Sequence, residues 1–265
     1  MNILLGVILL LFFTSNAHAF TLFNVTAPEE YAPLAENESI LSWGETNTLG
    51  EGATLSYSIA STSSACFMGF EACSSLDSFM PEGYQSVIES AFDRWASVAN
   101  VSFNQVDDQA GDIVLMGEYI WGNEIAHALI KQSFIEQDGE TFSNIAWSEI
   151  HFSESVYWSI GGSLGYDFLT VATHEIGHAL GLGHSEIKGS LMYADYQGKN
   201  TLQADDIAGI QFLYGPVSAV PEPSTYLLFL LGLAILLTSR TKHHSYVRGQ
   251  RHSKAPPYKH SKSSF

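Results

Sequence analysis

The stretch THEIGHALGLGHS, residues 173–185, holds three histidines and a glutamate within eleven positions. His174 and His178 are four apart, so on a helix both imidazoles leave from one face, the spacing two ligands need to grip one metal ion. Glu175 stands beside the first of them and can reach a metal-bound water without itself ligating. Gly181 can adopt a backbone conformation that other residues resist, which ends the helix and turns the chain. That turn lets His184 swing back as a third ligand. Three neutral imidazoles leave a fourth position open, the pattern of a catalytic zinc rather than of a closed structural one. The bland alternative is solvated or core histidines on an ordinary helix, with Gly181 and His184 at their offsets by chance.

These side chains need a scaffold, and the surrounding sequence supplies the elements of one. TLSYSI, from Thr54, alternates as a strand should. Residues 84–99 place Val87, Ile88, Ala91, Phe92, Trp95 and Val98 at helical spacing, an amphipathic helix. VSFNQV and DIVLMG read as strands, and NIAWSEIHF (144–152) as another. Residues 167–182 read as the helix that carries the histidines, ending at the Gly181 and Gly183 pair. ADDIAGIQFLYG closes the domain as a helix with Asp205 and Asp206 in its first turn, where the dipole favours anions. The order implies an α/β (α+β) domain built on a twisted, mixed sheet. Residues 20–50 are polar and acidic and read as a loose lead-in.

The motif H-E-x-x-H-x-x-G-x-x-H resembles that of the metzincin metalloproteases, and several details resemble the matrixin family within them. Ser185 follows the third histidine as in matrixins. Ser190-Leu191-Met192-Tyr193 resembles the Met-turn, an apolar floor beneath the zinc. DDIAGIQFLYG resembles the closing helix, and FDRWASVANVSF and GDIVLMG resemble the first helix and the strands after it. The resemblance implies a metzincin-like fold with an active-site helix, a Met-turn and a C-terminal helix. It implies that His174, His178 and His184 bind catalytic Zn2+ and that Glu175 is the general base for attack of zinc-bound water on a peptide carbonyl. It gives Met192 a packing role. The activity implied is that of a zinc metalloendopeptidase on extended polypeptides, laid along a sheet edge near NIAWSEIHF. The alternative function is an envelope adhesion or matrix protein whose metal site is structural; loss of the base or of a ligand would favour it, and neither is lost.

The same resemblance raises the question of further metals. His127, in IAHA, and His151, in EIHF, resemble two ligands of a second, structural zinc. The pair expected before them has no clear counterpart, since residues 117–122 read GEYIWG, so a second zinc and calcium both stay open. No cysteine motif of the kind that caps the zinc in animal matrixins is present, and no thiol switch is expected. Cys66 and Cys73, separated by six residues, are read as a disulfide, although spacing alone also allows two free thiols.

The ends of the chain bear on where such a site would act. Residues 1–19 are an apolar run ending in Ala17-His18-Ala19, read as a secretory signal with its cleavage site. Val220-Pro221-Glu222-Pro223-Ser224, then an apolar run, then Arg240, resembles the PEP-CTERM sorting signal of bacterial envelope proteins, which implies a membrane-embedded sorting enzyme of the exosortase type as a partner. Twelve apolar residues, 226–237, rise only about 18 Å as a helix; flanking residues extend the expected transmembrane helix to 225–239. The expected organisation is 1–19 signal, 20–50 acidic segment, 51–215 metalloprotease domain, 216–240 linker and sorting signal, and 241–265 basic cytoplasmic tail. Residues 20–219 carry 27 Asp and Glu against four Lys and Arg. A surface this acidic repels nucleic acid, which is excluded as a partner.

Overall fold

The computed structural model describes residues 72–217 except 108, 138, 139 and 163, together with 20, 22, 24, 25, 39–44, 48–61, 64, 65, 233 and 235. The chain divides into two units, Met1–Ser218 and Ala219–Phe265. The signal at 1–19, the tail at 241–265 and all of the expected span 225–239 except its helical residues 233 and 235 lie outside the described residues. Among the described residues no helix is long and apolar enough to cross a membrane.

The first unit is built on a five-stranded mixed sheet. Its strands are β1 (Ala53–Ile59), β2 (Val101–Gln105), β3 (Ile113–Glu118), β4 (Ala126–Gln137) and β5 (Glu140–Ser153), in the order β2-β1-β3-β5-β4. All neighbours are parallel except β4, which runs antiparallel to β5. Strand β3 is an unbroken apolar run, IVLMG, because a central parallel strand is covered on both faces. Helix α1 (Tyr84–Ala96) buries Val87, Ile88, Ala91, Phe92 and Trp95, each of the larger ones worth about 1.5–3 kcal/mol of burial. The remaining helices are α2 (Phe168–Ala179) and α3 (Ala204–Tyr214). This is the α/β arrangement expected from the order of elements.

Two features differ from the sequence reading. The free sheet edge is not NIAWSEIHF: that segment lies in β5, paired on one side with β3 and on the other with β4. The edge strand on that side of the sheet is β4, AHALIKQSFIEQ, whose alternation breaks at Lys131 and Gln132 where its register with β5 shifts. A bulge of this kind interrupts the period-two signal that marks a strand. The second difference is in the lead-in, where Leu41 and Trp43 are buried in the main core.

Helix α2 ends by a specific device. Gly181 has φ +101°, its N–H donates to the His178 carbonyl, and the Leu182 N–H donates to the Gly177 carbonyl, which together make a Schellman motif. The carbonyls left over are used as well: Trp43 Nε1 donates to Ala179 O at 2.8 Å and Tyr214 Oη to Leu180 O at 2.7 Å. A side chain at Gly181 would collide with the Leu41 carbonyl as well as strain the backbone. Gly181→Ala is therefore expected to cost about 3 kcal/mol or more. Urea unfolding should show a lower midpoint at unchanged slope; an unchanged midpoint would contradict this reading of the turn.

Candidate metal centre and cleft

Helix α2 starts at Asp167, whose carboxylate caps it by accepting from the Thr170 N–H and hydroxyl. It packs against α1 and β4, and Trp95 Nε1 of α1 donates to the Thr173 carbonyl at 2.9 Å. One turn on, His174 and His178 leave α2 on the same side, and the Gly181 turn returns His184 to them. Ring centroids lie 4.6 Å apart for His174–His178, 5.4 Å for His174–His184 and 4.7 Å for His178–His184. One ligand atom from each ring lies within 4.8 Å of the other two.

The protonation pattern follows from the neighbours. His174 Nδ1 lies 2.8 Å from the Leu191 carbonyl and His178 Nδ1 2.7 Å from the Leu182 carbonyl. A carbonyl only accepts, so both Nδ1 atoms carry the proton and donate it. Burial pushes the His174 imidazole down to about 4 and that of His178 to about 3, and it lowers His184 too. Both buried rings are thus neutral at pH 7, and their Nε2 atoms face each other 3.0 Å apart with no proton between them. Two lone pairs at that separation repel unless a cation lies beside both, and imidazole nitrogens with an open position are the donor set of zinc. The residues fit the metal that the motif implies.

Glu175 lines the same cleft, of about 500 Å3, with the three histidines. It is buried, its Oε2 has no hydrogen-bond partner, and burial, then the charge of Glu124, raises its carboxyl to about 8. A dication nearby would pull that value back down. The cleft is also lined by residues 123–128 at the start of β4 and by residues 193–197 and Lys199 after the Met-turn segment. Gln197 has its Nε2 buried there without a partner.

The floor is held by a carboxylate that sequence reasoning assigned only to the helix dipole. Asp206, buried in the first turn of α3, accepts from the Leu191 N–H at 2.9 Å, the Met192 N–H at 3.0 Å, the Gln203 N–H at 2.7 Å and the Ser190 hydroxyl. Asp205 accepts from the Ser185 hydroxyl. Met192 is buried beneath α2 at Gly177, where a Cβ would come 2.5 Å from its sulfur and 2.8 Å from the Trp95 ring. Only glycine allows that approach between the two histidines.

His127 and His151 are also brought together, directly opposite each other on β4 and β5. The third member of this group is Glu118, from the GEYIWG stretch in which no ligand was expected. Glu118 Oε2 lies 2.7 Å from His151 Nδ1 and 3.3 Å from His127 Nε2. Glu149 Oε2 lies 3.0 Å from His151 Nε2. The carboxylates raise the buried His151, whereas burial lowers His127. Only the register of three strands reveals Glu118, because alternation along one strand does not say which residue of the next lies opposite. Cys73 is disulfide-bonded and its Sγ lies 3.9 Å from His151 Nδ1; Cys66 lies outside the described residues.

Comparison with known proteins agrees with this geometry. A model of the matrixin family matches residues 70–215, and one of the PEP-CTERM protein-sorting motif matches residues 219–240. Matrilysin of Rattus norvegicus is 35% identical over 143 residues, 49% of this chain and 49% of its own length. Matrix metalloproteinase-19 of Homo sapiens is 34% identical over 146 residues, 53% of this chain and 28% of its own. The hatching enzyme of Paracentrotus lividus is 36% identical over 147 residues, 52% of this chain and 24% of its own. The chain thus spans about half the length of the first of these and less than a third of the others.

Replacing Asp206 should disturb the centre without touching a ligand. Asp206→Ala leaves the Leu191 and Gln203 N–H groups without an acceptor and the Met192 N–H with only the Ser190 hydroxyl, a loss of about 3 kcal/mol or more, and frees the Leu191 peptide whose carbonyl orients His174. Calorimetry should show the lower stability and zinc titration a weaker affinity; unchanged zinc affinity in a folded variant would contradict the link.

Proposed function

The chain belongs to the matrixin family, and from that premise we propose that it is an exported zinc endopeptidase. The observation that carries this reading is one buried carboxylate oxygen without a hydrogen-bond partner, Glu175 Oε2, in the same cleft as three converging neutral imidazoles. A purely structural metal has no use for such a group beside an open position.

In this reading His174, His178 and His184 hold the zinc. The bound metal supplies Lewis acidity, acidifying a water and polarising the substrate carbonyl. Glu175 takes the proton of the attacking water through Oε2 and passes it to the departing amine nitrogen. Its burial keeps bulk water from competing for that proton. The substrate lies extended along the free edge of β4, where residues 126–128 line the cleft; among the described residues β4 pairs only with β5. Main-chain pairing to that edge aligns a peptide bond with the centre and unfolds the substrate locally. The residue seated in the cleft meets Val171, Leu191 and Gln197.

The second group, Glu118, His127 and His151, offers three donors for a structural cation. Glu149 would fix the His151 tautomer by accepting from Nε2, leaving Nδ1 to ligate. At the chain's ends, the signal at 1–19 and the sorting motif at 219–240 support export and surface sorting in a bacterium. A transmembrane helix at 225–239 with a basic tail inside is part of the same proposal, the anchor being kept or lost according to processing by the sorting enzyme.

The base is the sharpest test. Glu175→Gln in the zinc-loaded chain should retain the metal and lower kcat by about 10²–10⁴-fold on unstructured polypeptide. Equal rates for the two, with zinc content confirmed, would remove Glu175 from the chemistry.

A further inference from the structure

Two donors in the wall of the cleft have no acceptor. Gln197 Nε2 is buried there, and among the described residues no hydrogen bond reaches it. Lys199, two residues on, is the only Lys or Arg lining the cleft. It is one of just four cations in residues 20–219, against 27 Asp and Glu, yet among the described residues no carboxylate pairs with it. Its Nζ reaches over Gly189, where an added Cβ would come 3.5 Å from it, next to Ser190 of the cleft wall.

The segment that carries both groups is tied down on either side of them. The Asp167 N–H at the start of α2 donates to Tyr196 Oη at 2.8 Å, and the Arg94 guanidinium of α1 donates to the Asn200 carbonyl. Gln197 and Lys199 are therefore set before a substrate arrives, which lowers the ordering cost of binding. The same cleft offers Val171 and Leu191 as apolar surface. A side chain that suits these features has an aliphatic stem and an acceptor at its tip. The buried donor calls for the acceptor, and the ammonium sets the sign of its charge.

We infer that the substrate residue seated in this cleft is a glutamate. Its stem packs on Val171 and Leu191, and its carboxylate accepts from Gln197 Nε2 and pairs with Lys199 Nζ. The inference rests on the endopeptidase reading above and names its substrate class, polypeptides with an acidic residue flanking the scissile bond. Three acids of the chain line the same cleft. Glu175 stands with the imidazoles, Glu124 has a side chain 57% exposed, and Asp195 is exposed, so water and salt screen the repulsion of the last two. Lys199 is exposed too, and its attraction is screened equally. The balance falls to the buried Gln197 donor, because a hydrogen bond to a charged acceptor is the stronger kind. Glutamine would accept the same bond without the charge, and leucine would leave the donor unpaired.

Unstructured fluorogenic peptides that differ only in carrying Glu, Gln, Leu or Lys on either side of the scissile bond test this on the zinc-loaded full chain. At one of the two positions kcat/KM should be about tenfold or more higher for Glu than for Leu, with Gln between them. Lys199→Glu should put Gln above Glu, and Gln197→Leu should erase the margin of Glu over Leu. Leu or Lys preferred at both positions would overturn the inference, as would Glu still ahead of Gln in Lys199→Glu. If Gln197→Leu does not fold, the charge reversal at the exposed Lys199 carries the comparison. The affinity of the same peptides for zinc-loaded Glu175→Gln, read by fluorescence anisotropy, separates this inference from the reading it rests on. Tenfold tighter binding of the Glu peptide, beside a wild-type chain that cleaves none, would remove the protease reading and keep this one. Cleavage and binding indifferent to the residue would do the reverse.

Discussion

Two imidazole nitrogens without protons face each other 3.0 Å apart in the middle of this domain. That contact is repulsive as it stands, and the fold is arranged to impose it. Each ring is turned by a carbonyl that holds the other nitrogen's proton, Leu191 for His174 and Leu182 for His178. Neither ring can escape by taking up a second proton, because burial keeps both neutral. A cation beside both nitrogens turns that repulsion into ligation, so the fold preorganises a metal site.

The two carbonyls show how far that constraint spreads. Leu182 is placed by the Gly181 turn, which in turn abuts Leu41 of the N-terminal segment. Leu191 is placed by Asp206, which gathers the Met-turn N–H groups to the start of α3. Met192 then fills the space beneath Gly177, and Trp95 locks α1 to the same turn of α2. A change at Leu182, Leu191 or Asp206 reaches the ligand rings through one or two hydrogen bonds, and one at Met192 or Trp95 through packing. Such coupling explains why an ordinary-looking helix start, Asp205-Asp206, sits at the centre of the architecture.

What could be read from the sequence follows the range of each interaction. His174, His178, Gly181 and His184 lie within one helix and one turn, where spacing determines geometry, and the structure brings them together. Met192 needed only a short loop. By contrast, the link from Asp206 to the Met-turn crosses about fifteen residues and leaves no periodic mark, so the helix dipole was the only visible reason for the acid. Glu118 joins His127 and His151 through the pairing of three strands, which no single strand's alternation encodes. The edge strand β4 was missed for a local reason, the bulge at Lys131 and Gln132 that breaks its pattern.

The central claim is that the three imidazoles of 174, 178 and 184 form the high-affinity zinc site. X-ray absorption at the zinc edge, on protein carrying one equivalent of metal, addresses it directly. The expected spectrum has three imidazole nitrogens and one oxygen at about 2.0–2.1 Å, with a nitrogen shell that collapses in His184→Ala. A shell of two imidazoles and a carboxylate, indifferent to His184→Ala, would put the first zinc at Glu118, His127 and His151 and contradict the claim.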